Sequence, residues 1–428
     1  MRFLKRQYFF TYGILGCVAP MVGIFLREQG FSNFQVAIAL AISQIPALVS
    51  PVLLTLLADR RLETRHILTM AGTLSGFVLS AMYLVQDLPT RMGLFFFYGL
   101  VLVGMLPLMD GLYFKWAERH RVAGMPCPTY PGVRLWGTVG YVIPSFLLLV
   151  VFKYFPDHTD LILPLAVVYC VFSVACSLAL PRLTAIPSEK APIGERPKIP
   201  TLEAFRVLTS PQARWLSLAL IPANMASVMY FGFIPIFLES VVGIPKLWIG
   251  SVISIGVVME IGYTLAMPWM HRVIRLKGIL ILGFCAQLLR LLALSFFPTP
   301  WVAIVVQLVH GMEVMGVLLA PVILINRLAH EDFRNSIQGV YTMTIGAVSR
   351  IIGYVLAGFL SASGLLHVMH WASVLSILGL IIIVVRYRRI RPEWEAAEHV
   401  DPGAVAASET PEEEGPVSPE DSERLLAG

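Results

Sequence analysis

Twelve apolar runs, each close to the length of a bilayer crossing, constrain this chain more than any other feature of its sequence. They fall at about 8–26, 34–57, 67–85, 92–114, 132–152, 161–180, 214–238, 247–270, 279–297, 301–325, 338–360 and 371–385. A helix needs roughly 20 apolar residues to cross the hydrocarbon core, so twelve such runs leave no room for a large extramembrane domain. Hydrophobic residues make up 57% of the chain and charged residues 14%, against about 25% charged in soluble domains. That balance excludes a single-core soluble enzyme and a disordered chain. The first run follows Met1-Arg-Phe-Leu-Lys-Arg6 and carries Pro20. It is too long for a signal peptide and lacks a small-residue cleavage site, so it is expected to be a span. Prolines inside the runs, such as Pro46, Pro144, Pro222 and Pro235, are tolerated because neighbouring helices re-satisfy the freed backbone groups.

Lysine and arginine set the orientation. With the N-terminus inside, 25 of the 32 fall in inside segments, 4 (Arg27, Arg91, Lys153 and Lys246) fall outside, and 3 lie within spans. Cytoplasmic loops carry the excess of basic residues, so both termini are expected in the cytoplasm. The net charge of +5 then reflects loop bias, and no nucleic-acid partner is implied. The cysteines are Cys17, Cys127, Cys170, Cys176 and Cys285, without a CxxC pair or a ligand cluster. Neither a disulfide framework nor a metal site is expected.

Four segments divide the chain. Residues 1–180 hold six spans, 181–213 form a polar, proline-rich, basic cytoplasmic linker, 214–390 hold six more spans, and 391–428 read as a disordered acidic cytoplasmic tail. The two six-span parts echo each other. Pro20, Phe25-Leu26 and Gly30 in the first match Pro235, Phe237-Leu238 and Gly243 in the second. Weak similarity at half-chain period is a mark of parallel repeats in transporters.

Most spans carry no ionisable group. The exceptions are Asp110, Arg134, Glu260, Arg290, His310, Glu313 and Arg350. Each acid or arginine at mid-membrane costs about 2.5–3.5 kcal/mol, and six unpaired would cost on the order of 15–20 kcal/mol. They must therefore face one another or a wet cavity. His310 and Glu313 are three residues apart and share a helix face, and Gln307 extends that stripe by a turn. A histidine one turn from a glutamate has the parts of a proton relay. Arg350 has no evident partner in the sequence order. The pair Asp59-Arg60 stands at a helix end in the loop after the second run, where it is able simply to cap the helix and anchor it to headgroups.

Several stretches resemble the major facilitator superfamily, over about residues 1–390. The most specific is Val133-Arg134-Leu135-Trp136-Gly137-Thr138-Val139-Gly140, preceded by Pro107-Leu-Met-Asp110 and followed later by Ile255-Gly256-Val257-Val258-Met259-Glu260-Ile261 and Gln307-Leu308-Val309-His310. The likeness is to the branch that holds phenylpropionate permease, nucleoside–proton symporters and lactose permease. Arg290, twenty residues before His310, and Glu313-Val314 after it are similar to the lactose permease arrangement. The resemblance implies an all-α membrane protein with twelve transmembrane helices in two six-helix halves, which alternates between inward- and outward-open states. It implies that Glu313 carries the proton and Arg290 promotes its release. Asp110 and Arg134 would hold substrate, with Glu260, Tyr141 and Gln307 counted in the same binding site, and Glu260 and His310 would connect the two functions. It also makes Asp59 and Arg60 part of a gating loop. The chain departs from the pattern in several places. Asp110 replaces a glutamate, Tyr141 stands where lactose permease has a tryptophan, and Thr55 and Leu62 occupy places the loop motif gives to glycine.

The expected function is secondary active transport, as proton-coupled symport of a small organic solute: an aromatic acid, a nucleoside or a sugar. An exporter or uniporter of the same fold is the alternative, and a non-transporting receptor or scaffold is the rival from another class. An enzyme is not expected, because no HExxH, GxSxG or cysteine–histidine constellation is present. No cofactor or metal is implied. The expected partners are the solute, protons and the lipid bilayer, with the protein a monomer of the cytoplasmic (inner) membrane.

Overall fold

A computed structural model describes residues 2–50, 63–122, 125, 127–128, 130–180, 200–211, 213–328 and 339–386. Asp59 and Arg60, with Thr55 and Leu62, lie outside the described residues, as do most of the linker and the acidic tail. Among the described residues there is no strand, and ten helices are long and apolar enough to cross a membrane. One of the ten, Lys246–Phe296, has 51 residues, which at 1.5 Å per residue would be about 75 Å, more than twice the hydrocarbon thickness. Its backbone turns at Arg275 (φ 57, ψ 174), so it is two spans rather than one. The shorter apolar helix Asn33–Leu48 supplies the twelfth.

In chain order the first span is Arg2–Glu28, the second Asn33–Leu48, the third Thr64–Leu84, the fourth Leu88–Tyr113, the fifth Gly132–Tyr154 and the sixth Thr159–Leu178. The seventh is Arg214–Ser240, the eighth and ninth share Lys246–Phe296, the tenth is Pro300–Ile325, the eleventh Gly339–Ser361 and the twelfth Leu365–Arg386. A further helix, Pro200–Thr209, precedes span seven.

Local chemistry fixes the ends. Ser32 and Gln35 form a reciprocal capping box at the start of span two. Asp87 accepts the Thr90 N–H at 2.9 Å before span four, and the Thr90 contacts hold its carboxyl below the usual range. Span one bends at a turn over residues 19–21, where Pro20 removes a backbone donor. The sequence echo has a backbone cause. Gly30 and Gly243 end spans one and seven with φ of 87° and 79°, which a side chain adopts only at a cost. The next N–H reaches back in both cases to the echoed leucine: Phe31 to the Leu26 carbonyl at 3.1 Å and Ile244 to the Leu238 carbonyl at 2.8 Å.

Span one packs against spans five and six, span three against six, and span seven against twelve. Glycines allow the closest of these crossings. A Cβ on Gly16 would lie 2.1 Å from the Tyr141 carbonyl oxygen, and one on Gly140 would lie 2.0 Å from that of Phe9. Among the described residues the main crossings between the first six spans and the last six are span two on eleven and span five on eight, with the end of span one also meeting span seven. At one end of the bundle the seam is polar. Lys246 Nζ lies 2.5 Å from Glu28 Oε1, and Thr159 donates to the other oxygen of Glu28. Arg91, in the first turn of span four, is 2% exposed. Its guanidinium donates to Gln29 Oε1 at 3.2 Å and to the Val85 carbonyl, and thus ties three loop ends together.

Candidate functional site

Six of the seven intramembrane ionisable side chains singled out above meet in two clusters that differ in access. The first is built from spans one, four and five. Arg134 Nη1 lies 3.5 Å from Asp110 Oδ2 and donates to Tyr130 Oη at 3.0 Å. Tyr8 donates its phenol to Asp110 Oδ1 at 2.5 Å. The guanidinium also sits over the rings of Tyr12, at 5.8 Å, and Tyr130, at 6.0 Å, within cation–π range. Gly137 of the sequence motif has a structural purpose here. A Cβ at that position would come within 2.8 Å of the Tyr12 ring, so glycine lets that ring lie beside Arg134. The pair keeps open space around it: the Arg134 side chain is 38% exposed and that of Asp110 26%.

Glu260 faces this cluster from span eight. Its charged neighbour is Arg134, and Tyr12 and Tyr141 lie in its field. Glu260 forms no salt bridge within 4.0 Å among the described residues.

The second cluster joins spans seven, nine and ten. Arg290 Nη2 lies 2.5 Å from Glu313 Oε2, and the side chains are 1% and 3% exposed. Arg290 Nη1 lies 2.6 Å from His310 Nδ1. A guanidinium has no acceptor, so Nδ1 must be the acceptor, and the imidazole is neutral with its proton on Nε2. Tyr230 stacks its ring 3.9 Å from the Arg290 carbon, and Phe231 lies at 5.2 Å. Gln307 is buried and donates to Tyr230 Oη at 3.2 Å. Span ten is irregular at this level: a 3₁₀ turn over Val306–Val309, a helical turn His310–Glu313 and a π-turn Val314–Leu319. Such interruptions in a helix recur at functional sites.

The two clusters touch through backbone. A Cβ on Gly311 would lie 2.7 Å from the Glu260 Cα, so the residue after His310 packs directly on the turn that carries Glu260. Arg350, on span eleven, joins neither cluster. It is partly buried, its electrostatic neighbours are Tyr341 and Tyr354, and no carboxylate lies within ion-pair distance among the described residues.

Sequence reasoning missed Tyr8, Tyr12 and Tyr130 in the first cluster and Ser227, Tyr230 and Gln287 in the second. The available signal was the four-residue spacing of Tyr8 and Tyr12, which puts both on one face of span one. An apolar cavity of about 680 Å³ lies elsewhere, lined by Phe146, Trp248, Val258 and Ile304 among others. It touches none of the charged residues. Among the described residues no three metal-ligating side chains converge.

The profile of the MFS_1-like family matches residues 1–369. The chain belongs to that family. It is an integral, multi-pass membrane transporter, not an enzyme, and its substrate is a small molecule. Solved structures share the fold of this MFS_1-like protein at low identity. The nucleoside transporter NupG, as a single-site mutant, superposes with a TM-score of 0.78 at 16% identity, over 90% of this chain and 99% of its own. A second NupG structure gives 0.74 at 17% identity, over 91% and 99%. A POT family transporter in complex with a thioalcohol-conjugated peptide gives 0.71 at 11% identity, over 91% and 96%. No curated protein matches the sequence.

Proposed function

We propose that this MFS_1-like protein is a proton-coupled symporter of a neutral, hydroxyl-bearing solute, a nucleoside or a sugar, in the cytoplasmic membrane with both termini in the cytoplasm. The observation that carries the proposal is the difference in access between the two charged clusters. Asp110 and Arg134 are paired yet partly open, with tyrosine rings around them. Arg290 and Glu313 are paired and closed off. A binding site needs the first property, and a proton carrier shielded from leakage needs the second.

Charge decides among solute classes. Asp110, Glu260 and Arg134 place two acids and one guanidinium around the open site. An anionic solute would add a third negative charge in a region of low dielectric, where repulsion is strong. Hydroxyl groups instead donate to the carboxylates and accept from the guanidinium, and the rings of Tyr8, Tyr12, Tyr130 and Tyr141 offer flat faces. This argues against an aromatic acid. The NupG likeness agrees with a nucleoside but concerns the fold alone.

Coupling runs through Glu313. As a carboxylate it holds Arg290, and Arg290 holds His310 through Nδ1. Protonation of Glu313 removes the charge that anchors Arg290. His310 and, through Gly311, the turn bearing Glu260 then lose their fixed partner. The proton state of the closed cluster thus reaches the open one. With the termini inside, the Glu28–Lys246 seam lies on the outer face and has to part in the outward-open state of an alternating cycle. Purified protein in proteoliposomes, offered nucleosides, sugars and aromatic carboxylates with internal pH recorded, tests the proposal. Acidification coupled to entry of a nucleoside or sugar supports it, and coupled entry of the carboxylates alone contradicts it.

A further inference from the structure

Glu313 has neutral partners in the second cluster besides the charged Arg290. Ser227, on span seven, donates its hydroxyl to Glu313 Oε1 at 3.3 Å. Gln287, on span nine, donates Nε2–H to the same serine oxygen at 2.7 Å and to the Ala223 carbonyl at 2.9 Å. Ser376, on span twelve, donates to Gln287 Oε1 at 3.1 Å. All four side chains are buried, so each proton in the chain must find a protein acceptor.

That requirement fixes the direction of the chain. The Ala223 carbonyl only accepts, so the Gln287 nitrogen must face it, and the Gln287 oxygen faces Ser376. Ser227 then accepts from Gln287, and its one proton points away, to Glu313. This proton has a second acceptor within its own helix. Ala223 stands four residues before Ser227, the position whose carbonyl a serine hydroxyl bonds when it turns back on its helix. While Glu313 is a carboxylate it takes the Ser227 proton. Once Glu313 is protonated and donates from Oε1, Ser227 becomes the acceptor, and its own proton turns to Ala223.

We propose that the Ser227 hydroxyl is a two-position switch set by the protonation state of Glu313, and that Gln287 is the positioning residue that keeps the switch in register. This rests on the carrier role given to Glu313 above and extends it, because the chain links the proton state to spans seven, nine and twelve. The charged or titratable groups that face Glu313 are Arg290 from span nine, Tyr230 from span seven and His310 from its own span. Span twelve presents only the neutral Ser376.

Infrared difference spectra of the purified full-length protein, titrated with pH, test this without a substrate. Glu313→Gln assigns the protonated-carboxyl band by removing it. Ser227→Ala deletes a donor to the carboxylate, so the pH midpoint of that band moves to the alkaline side by about one unit, the size expected for one hydrogen bond to a charged group. Ser227→Thr keeps the hydroxyl and the wild-type midpoint. Gln287→Met moves the midpoint in the same direction as Ser227→Ala, and it decides the matter if Ser227→Ala does not fold. A band that Glu313→Gln removes, but whose midpoint stays within about 0.2 unit of wild type in Ser227→Ala and Gln287→Met, overturns the switch and leaves the carrier standing. Spectra that Glu313→Gln leaves unchanged overturn both.

Discussion

Individual residues explain how this membrane interior holds its two ion pairs. Arg290 is the clearest case. It is buried against Glu313, His310 and the Tyr230 ring, so its removal strands a carboxylate. Arg290→Ala should cost about 3–5 kcal/mol. The double variant Arg290→Ala/Glu313→Gln, with neither charge of the pair left, should recover most of that in thermal unfolding of detergent-purified protein. Arg134→Ala acts on the open cluster. It should abolish binding of the best solute from the transport panel while the protein stays folded in the membrane, and unchanged affinity would remove the Asp110–Arg134 pair from the site. At Gly30, where φ is 87° and a Cβ would meet no atom within 4 Å, only the backbone resists substitution. Gly30→Ala should therefore cost about 1–2 kcal/mol and leave transport intact. The seven charged or histidine side chains were legible in the sequence because charge in an apolar run is conspicuous. The tyrosines were not, since an aromatic residue in a span reads equally well as facing lipid. Only burial, such as that of Tyr8 at 0% exposure, separates the two.

At the level of elements, hydropathy found the spans, but helix irregularity was invisible to it. The apolar pattern continues evenly through span ten, yet the backbone passes through 3₁₀ and π turns around His310 and Glu313. The break at Arg275 lies between two runs that the pattern does separate, and the charged residues around it mark the spot. Arg91 shows the limit of loop counting: the apolar run starts just after it, but the helix of span four already includes it, and its burial against Gln29 and Val85 depends on contacts from neighbouring segments. The Glu28–Lys246 pair gives the element scale its own prediction. It joins the end of span one to the start of span eight, so an outward-open state must break it. Lys246→Gln should raise the population open at this end. Spin labels at Asp157 and Ser363, on exposed loops of that end, should then report longer distances. An unchanged distance distribution would show that the seam is held by other contacts, such as the Phe34–Phe359 ring pair at 5.1 Å.

For the whole molecule, the contacts give one picture, a bundle closed at the Glu28–Lys246 end with two charged clusters in its interior. The orientation is checked by a single cysteine at Glu195, in the basic linker, which should be labelled only from the cytoplasmic side. The central claim is that the proton bound by Glu313 drives the solute held near Asp110 and Arg134. Glu313→Gln keeps a neutral side chain of nearly the same shape and so mimics the protonated carrier. In proteoliposomes with an imposed pH gradient it should lose uphill accumulation of solute and retain exchange of solute across the membrane. Accumulation at the wild-type level in Glu313→Gln would contradict the claim and shift the proton to another acid, with Glu260 the next to test.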